Sequence, residues 1–134
     1  MPLIENDVTF AFLNSLDSKF KSADRVFTKI RSGSLKVSLS SVALVEMELV
    51  YRSEGREDAL LKDMAALASI PDAKFEPLTP DVVLSAVLLR QMFHLGFFDS
   101  HYAATALKVD GSIISFDKAY DHVKGLKRID PESA

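Results

Sequence analysis

Asp99-Ser100-His101-Tyr102-Ala103-Ala104-Thr105-Ala106-Leu107, followed by Ser112-Ile113-Ile114-Ser115-Phe116-Asp117-Lys118-Ala119-Tyr120, decides the fold. The first segment reads as a helix that starts near Asp99 and ends before Gly111. Ser112-Ile113-Ile114-Ser115 reads as a short buried strand, Asp117 to Val123 as a short helix, and Lys127-Arg128-Ile129 as a last strand. A helix feeding a short apolar strand, with an acid just past the strand's end, is one unit of a parallel sheet covered by helices.

Working outward, the same alternation runs through the rest of the chain. Pro2-Leu3-Ile4 reads as a first strand and Asp7 to Asn14 as a helix. A second helix opens at Asp17 or Ser18 and ends before Gly33, its buried stripe being Phe20, Ala23, Phe27 and Ile30. Leu35-Lys36-Val37-Ser38-Leu39 alternates like a strand. Ser40 or Ser41 can cap the next helix, which runs to about Ser53, and another covers Arg56 to Ser69. Thr79-Pro80-Asp81 combines a cap, a proline at the first position and an acid in the first turn. The helix it opens, Pro80 to Leu95, is apolar on most sides, which predicts a central position. Gly96 would end it.

At 134 residues with 48% hydrophobic and 26% charged residues, the expectation is a single domain spanning 1–134 with one real core. No stretch approaches the ~18 apolar residues of a membrane span. Met1 to Asp7 lacks a basic leader-like region, so a cytoplasmic protein is expected. With no cysteine and three histidines, thiolate and zinc sites are not expected. The net charge of −3 argues mildly against nonspecific nucleic-acid binding. Yet Lys19, Lys21, Arg25, Lys29, Arg31 and Lys36 cluster in one segment, and Lys118, Lys124, Lys127 and Arg128 in the tail. Such segments can grip a phosphate backbone or be an ordinary solvated face.

Four acids stand out by position. Ligands of open parallel sheets bind beyond the C-terminal strand ends. Glu5 follows the first strand and Asp117 the strand at Ser112–Ser115, so both should emerge on one edge. Glu46 has Val42, Ala43, Leu49 and Val50 as helical neighbours, an apolar face on which an ionised carboxylate is costly unless neutralised. A core glutamate bonded to a backbone or basic partner is the alternative. Glu48, near Arg52, has an easier route to solvent. Asp99 is the first acid of its helix, and capping alone would also account for it. Asp7, Glu48 and Asp121 read as solvated or capping acids. A carboxylate cluster of this kind suits metal-assisted hydrolysis. Mg2+ or Mn2+ prefers oxygen ligands, and without a cation so many acids raise each other's pKa.

In their order along the chain these features resemble PIN domains, the ribonuclease fold of many prokaryotic VapBC-type toxins. Leu3-Ile4-Glu5-Asn6-Asp7-Val8 stands where the family has a strand ending in Asp-x-Asn or Asp-x-Asp. Ser40-Ser41-Val42-Ala43-Leu44-Val45-Glu46 matches the Ser-rich junction with a helical Glu. Asp99 to Leu107 matches the Asp that opens an Ala-containing helix, and Ser115-Phe116-Asp117 the Ser/Thr-x-Asp after the last core strand. The resemblance implies a three-layer α/β/α sandwich with a short, mostly parallel central sheet. It also implies a Mg2+- or Mn2+-dependent endoribonuclease, toxin of a toxin–antitoxin pair. Glu5, Glu46, Asp99 and Asp117 would hold the metal, Ser115 would orient a carboxylate, and Asn6 or Asp7 would assist. Lys19, Lys21, Arg25 and the tail cations would position RNA. A homodimer and a small antitoxin partner are expected on the same grounds.

One residue departs from the pattern. Glu5 replaces the family's near-invariant Asp, and its extra bond of about 1.5 Å shifts the carboxylate. This motivates a second reading, a catalytically weak or inactive module that binds RNA or protein. A phosphoacceptor receiver domain fits less well, because it needs its acceptor Asp at the end of a central strand whereas Glu46 is mid-helix.

Overall fold

The computed structural model describes all residues, 1–134. Along the chain come β1 (Leu3–Ile4), α1 (Asn6–Leu13), α2 (Phe20–Arg31), β2 (Ser38–Ser40), α3 (Val42–Ser53), α4 (Glu57–Ala68) and β3 (Lys74–Glu76). Then follow α5 (Pro80–Phe93), α6 (Phe97–Val109), β4 (Ser112–Ile114), a 3₁₀ turn at Lys118–His122, and β5 (Lys127–Ile129). The strands form one sheet in the order β3-β2-β1-β4-β5, and every pairing is parallel. The chain starts in the middle, winds out through β2 and β3, and returns to the other side of β1 as β4. The crevice at a reversal of this kind, outside the strands' carboxyl ends, is where open α/β sheets place their ligands.

Strand pleating sorts the core into two layers. Leu3 pairs with Ile113 and Ile4 with Ile114. Ile4, Leu39 and Ile114 face a core of Val8, Ala23, Val26, Phe27, Met47, Tyr51 and Leu67, contributed by α1 to α4. Leu3 and Ile113 face Val42, Ala43, Tyr102, Ala103, Ala106 and Tyr120 on the opposite side. A two-residue central strand suffices because each of its side chains serves a different layer.

Some expectations shift. The strand read at Leu35–Leu39 is confined to Ser38–Ser40. The Leu35 amide bonds back to the Lys29 carbonyl at the end of α2, and ladder pairing begins only with Ser38 N–H to Pro2 O, 3.0 Å. The second helix opens at Phe20, because Asp17 makes a turn whose side chain accepts from the Lys19 amide at 2.8 Å. The edge strand β3 was not foreseen. Lys74-Phe75-Glu76 carries only one apolar side chain, and its charged ends protect an exposed edge.

The largest correction concerns α5, which is peripheral. Only Val82 and Ala86 are buried, while Leu84, Leu88 and Met92 stay 59–66% exposed. This helix follows an edge strand and packs mainly on α6, so nothing in the chain covers its outer side. It ends at His94 in the left-handed conformation (φ 56), and Gly96 instead begins α6. No single helix is long and apolar enough to cross a membrane.

Candidate active site

Glu5 leaves β1 and N-caps α1, its Oε1 accepting from the Asp7 amide at 3.2 Å. The Glu5 amide donates to Ile114 O, so the β1–β4 ladder continues to the edge of the crevice. Beyond β4, Ser115 is completely buried. Its Oγ donates to Asp7 Oδ2 at 2.8 Å, lies 3.3 Å from Glu5 Oε2, and accepts from the Asp117 amide at 3.0 Å. The Phe116 amide also donates to Asp7 Oδ2, 2.9 Å. Ser115 therefore ties the exit of β1 to the exit of β4. Asp7, read both as a solvated or capping acid and as an assisting group beside Glu5, is not solvated: it is held by two donors more than a hundred residues away in sequence.

The remaining acids approach from two helices and the 3₁₀ turn. Glu46 Oε1 accepts from Asn6 Nδ2 at 3.0 Å and from the Tyr102 hydroxyl at 2.7 Å. It thus has two polar partners and no basic one, whereas Glu48 is exposed. Asp99 does not cap its helix. Gly96 occupies that position, and Asp99 Oδ1 lies 3.4 Å from the buried Tyr120 hydroxyl. Asp117 both lies at the site and caps the 3₁₀ turn, accepting from the Ala119 amide at 2.9 Å. Asp121 behaves as read, pairing with Arg128 at the surface.

Electrostatics joins these acids into one group. Burial, followed by the negative charges of Asp7, Asp99 and Glu46, holds Glu5 well above the ordinary carboxylate range. Burial also raises Asp7, against hydrogen bonds from Ser115 and Phe116 that pull it down. Asp99 is raised by burial, then by Asp117 and Glu46. The largest charges acting on Glu5 are all negative, and none of the site acids forms an ion pair with a basic side chain.

A consequence for stability follows. These folded-state pKa values lie above the unfolded ones. The cluster's contribution is therefore fully present below the ordinary carboxylate range and is lost as pH rises through the raised values. In EDTA, the melting temperature should fall as pH rises from 5 to 8, and millimolar Mn2+ at pH 8 should recover it. A melting temperature that is flat with pH and indifferent to Mn2+ would contradict the clustering.

The donor set suits a hard divalent cation, being entirely oxygen. Asp7 Oδ1 is buried without a partner, a free lone pair inside an acidic pocket. As the side chains stand, no three acidic or histidine groups enclose a common point tightly enough for one ion. Their hydrogen bonds to Tyr102, Tyr120, Asn6 and Ala119 fix one oxygen of each instead.

Among the basic groups, Lys19 stands at the rim, its ammonium 4.6 Å from the centre of the Phe116 ring beside Asp117. Lys21 and Arg25 lie exposed on α2, and Lys118, Lys124 and Lys127 are exposed in the tail. Arg128 is not free for RNA. It is committed to Asp121, Asp130 and the Ser115 carbonyl, and so braces the turn that carries Asp117. Tyr102 and Tyr120 were not singled out in the sequence. A tyrosine among core residues is the only sign either gave.

A family model for the PIN domain matches residues 8–126. No curated protein matches the chain. Among solved structures, VapBC2 from Rickettsia felis, bound to a DNA fragment from its promoter, is 11% identical with a TM-score of 0.74, covering 95% of this chain and 96% of that one. VapC20 of Mycobacterium tuberculosis, described as a toxin cleaving the sarcin-ricin loop, is 21% identical with a TM-score of 0.71, covering 88% and 91%. A toxin–antitoxin complex from Klebsiella pneumoniae is 14% identical with a TM-score of 0.67, covering 98% of both chains.

Proposed function

The chain belongs to the PIN domain family, and from that membership and the acid pocket we propose that it is a Mg2+- or Mn2+-dependent endoribonuclease, the toxin of a toxin–antitoxin pair. One observation carries this reading. Glu5, Asp7, Glu46, Asp99 and Asp117 influence one another at the β1/β4 crevice, and none of them is paired with a basic side chain. A bound divalent ion would supply a more acidic water and offset charge developing on the scissile phosphate.

The chain's own groups would do the rest. Glu5, Glu46, Asp99 and Asp117 hold the ion, and Asp7 adds an oxygen beside Glu5. Ser115 fixes Asp7 with its hydroxyl and stands beside Glu5, so both carboxylates are held at one corner of the pocket. Lys19 meets the RNA backbone at the rim, joined by Lys21, Arg25 and the exposed tail lysines. Purified chain should cleave RNA with Mn2+ and lose that activity in EDTA. Cleavage that persists in EDTA would mark a contaminant and end the proposal.

Glu5 favours a second reading, an RNA- or protein-binding module with little catalysis. Half of its carboxylate is occupied in capping α1. Glu5→Asp decides between them, because a chain silent as it stands but active with Asp is a degenerate nuclease.

A small antitoxin is the proposed protein partner. The toxin itself is proposed to pair as a homodimer through α5. Leu84, Leu88 and Met92 form an i, i+4, i+8 stripe. Leu88 and Met92 also line a groove of about 500 Å³ against α6. Leu88→Lys should convert a dimer to a monomer in sedimentation velocity, and an unchanged mass would exclude this face.

A further inference from the structure

Tyr102 lies on α6 three residues after Asp99, so the two side chains share a helical face. Its side chain is entirely buried. The hydroxyl reaches across to α3, 56 residues away in sequence, and donates to Glu46 Oε1 at 2.7 Å. Asn6 Nδ2 donates to the same oxygen at 3.0 Å and is itself anchored on the Ala43 carbonyl at 2.9 Å, one turn before Glu46. Two donors on Oε1 leave Oε2 without a protein partner. Phenylalanine would fill the same apolar space without the cost of burying a hydroxyl, so what distinguishes tyrosine here is its bond to the carboxylate.

We propose that Tyr102 is a positioning residue of the metal centre, its hydroxyl acting with Asn6 to hold one oxygen of Glu46 so that the other is presented to the divalent cation. This inference rests on the metal-dependent reading of the pocket. Groups that orient metal-bound carboxylates contribute typically about 10- to 100-fold in affinity.

The test is Mn2+ binding by the full chain, measured as free Mn2+ by electron paramagnetic resonance. Tyr102→Phe should weaken binding about 10-fold, and saturating Mn2+ should restore most RNA cleavage, so that the defect lies in metal affinity. Asn6→Ala, which removes the other donor, should shift affinity in the same direction. In a Glu46→Gln background, Tyr102→Phe should cause no further loss, because its effect passes through that carboxylate.

A purely structural role would lower thermal stability and leave Mn2+ affinity unchanged, and that result overturns the proposal. So does an equal loss in the Glu46→Gln background. Wild-type chain that binds no Mn2+ would instead overturn the metal reading, and the role of Tyr102 with it. If Tyr102→Phe does not give the native circular dichroism, Asn6→Ala carries the same test.

Discussion

Asp99→Asn should leave the fold intact and lower Mn2+-dependent RNA cleavage by at least about 100-fold, the scale on which misplacing a reacting group by about 1 Å costs an enzyme. The substitution nearly preserves shape. Asp99 is not its helix's cap, since Gly96 occupies that position, so no capping bond is lost. Its one protein contact in the pocket is with the Tyr120 hydroxyl, which an amide oxygen can also accept. What disappears is a negative charge facing Glu5, Glu46 and Asp117.

The same loss has an opposite effect on stability. With one fewer mutually repelling carboxylate, the variant should melt at a higher temperature than wild type in EDTA and gain less from Mn2+. Function and stability would then trade against each other at one residue. Full activity in Asp99→Asn, or a lower melting temperature in EDTA, would show that Asp99 is not part of a cation-binding cluster.

Met47→Ala should destabilise the chain by about 2–5 kcal/mol, the usual range for truncating a buried Met, Leu or Ile to Ala. Met47 is fully buried among Val8, Leu39 and Ile114, and this burial fixes the rotation of α3. Glu46 follows from that rotation, because a helix with Met47 turned inward carries Glu46 toward the crevice and Glu48 toward solvent. Glu48→Ala should accordingly fall within about 0.5 kcal/mol of wild type. Urea titration provides the measurement, with the midpoint falling for Met47→Ala and the slope unchanged. Equal effects at positions 47 and 48 would mean that α3 sits otherwise.

The fold was legible where local signals agreed. Leu3-Ile4 and Ile113-Ile114 are short apolar pairs too brief to be helices, each followed at once by an acid or a serine and then a helical pattern. Alternation of such units leaves few options besides a parallel sheet. Legibility failed at Lys74-Phe75-Glu76, because an edge strand draws its stability from a neighbour's backbone and need not carry an apolar pattern. It failed again on α5, whose composition says that it is apolar but not which side, if any, another element covers.

The residues by themselves determined the order of elements, the strand ends at which Glu5 and Asp117 emerge, and the choice of Glu46 over Glu48, because each depends on a period of two or of 3.6 along a continuous stretch. Only the tertiary structure decided that Asp7 faces Ser115, that Tyr102 bonds Glu46, and that Arg128 is spent on Asp121 and Asp130. The first two contacts join residues 56 or more positions apart. The third depends on how the turn after β4 folds back on β5. A hydrogen bond is chosen by which groups the sheet brings within about 3 Å, and no local periodicity encodes that meeting.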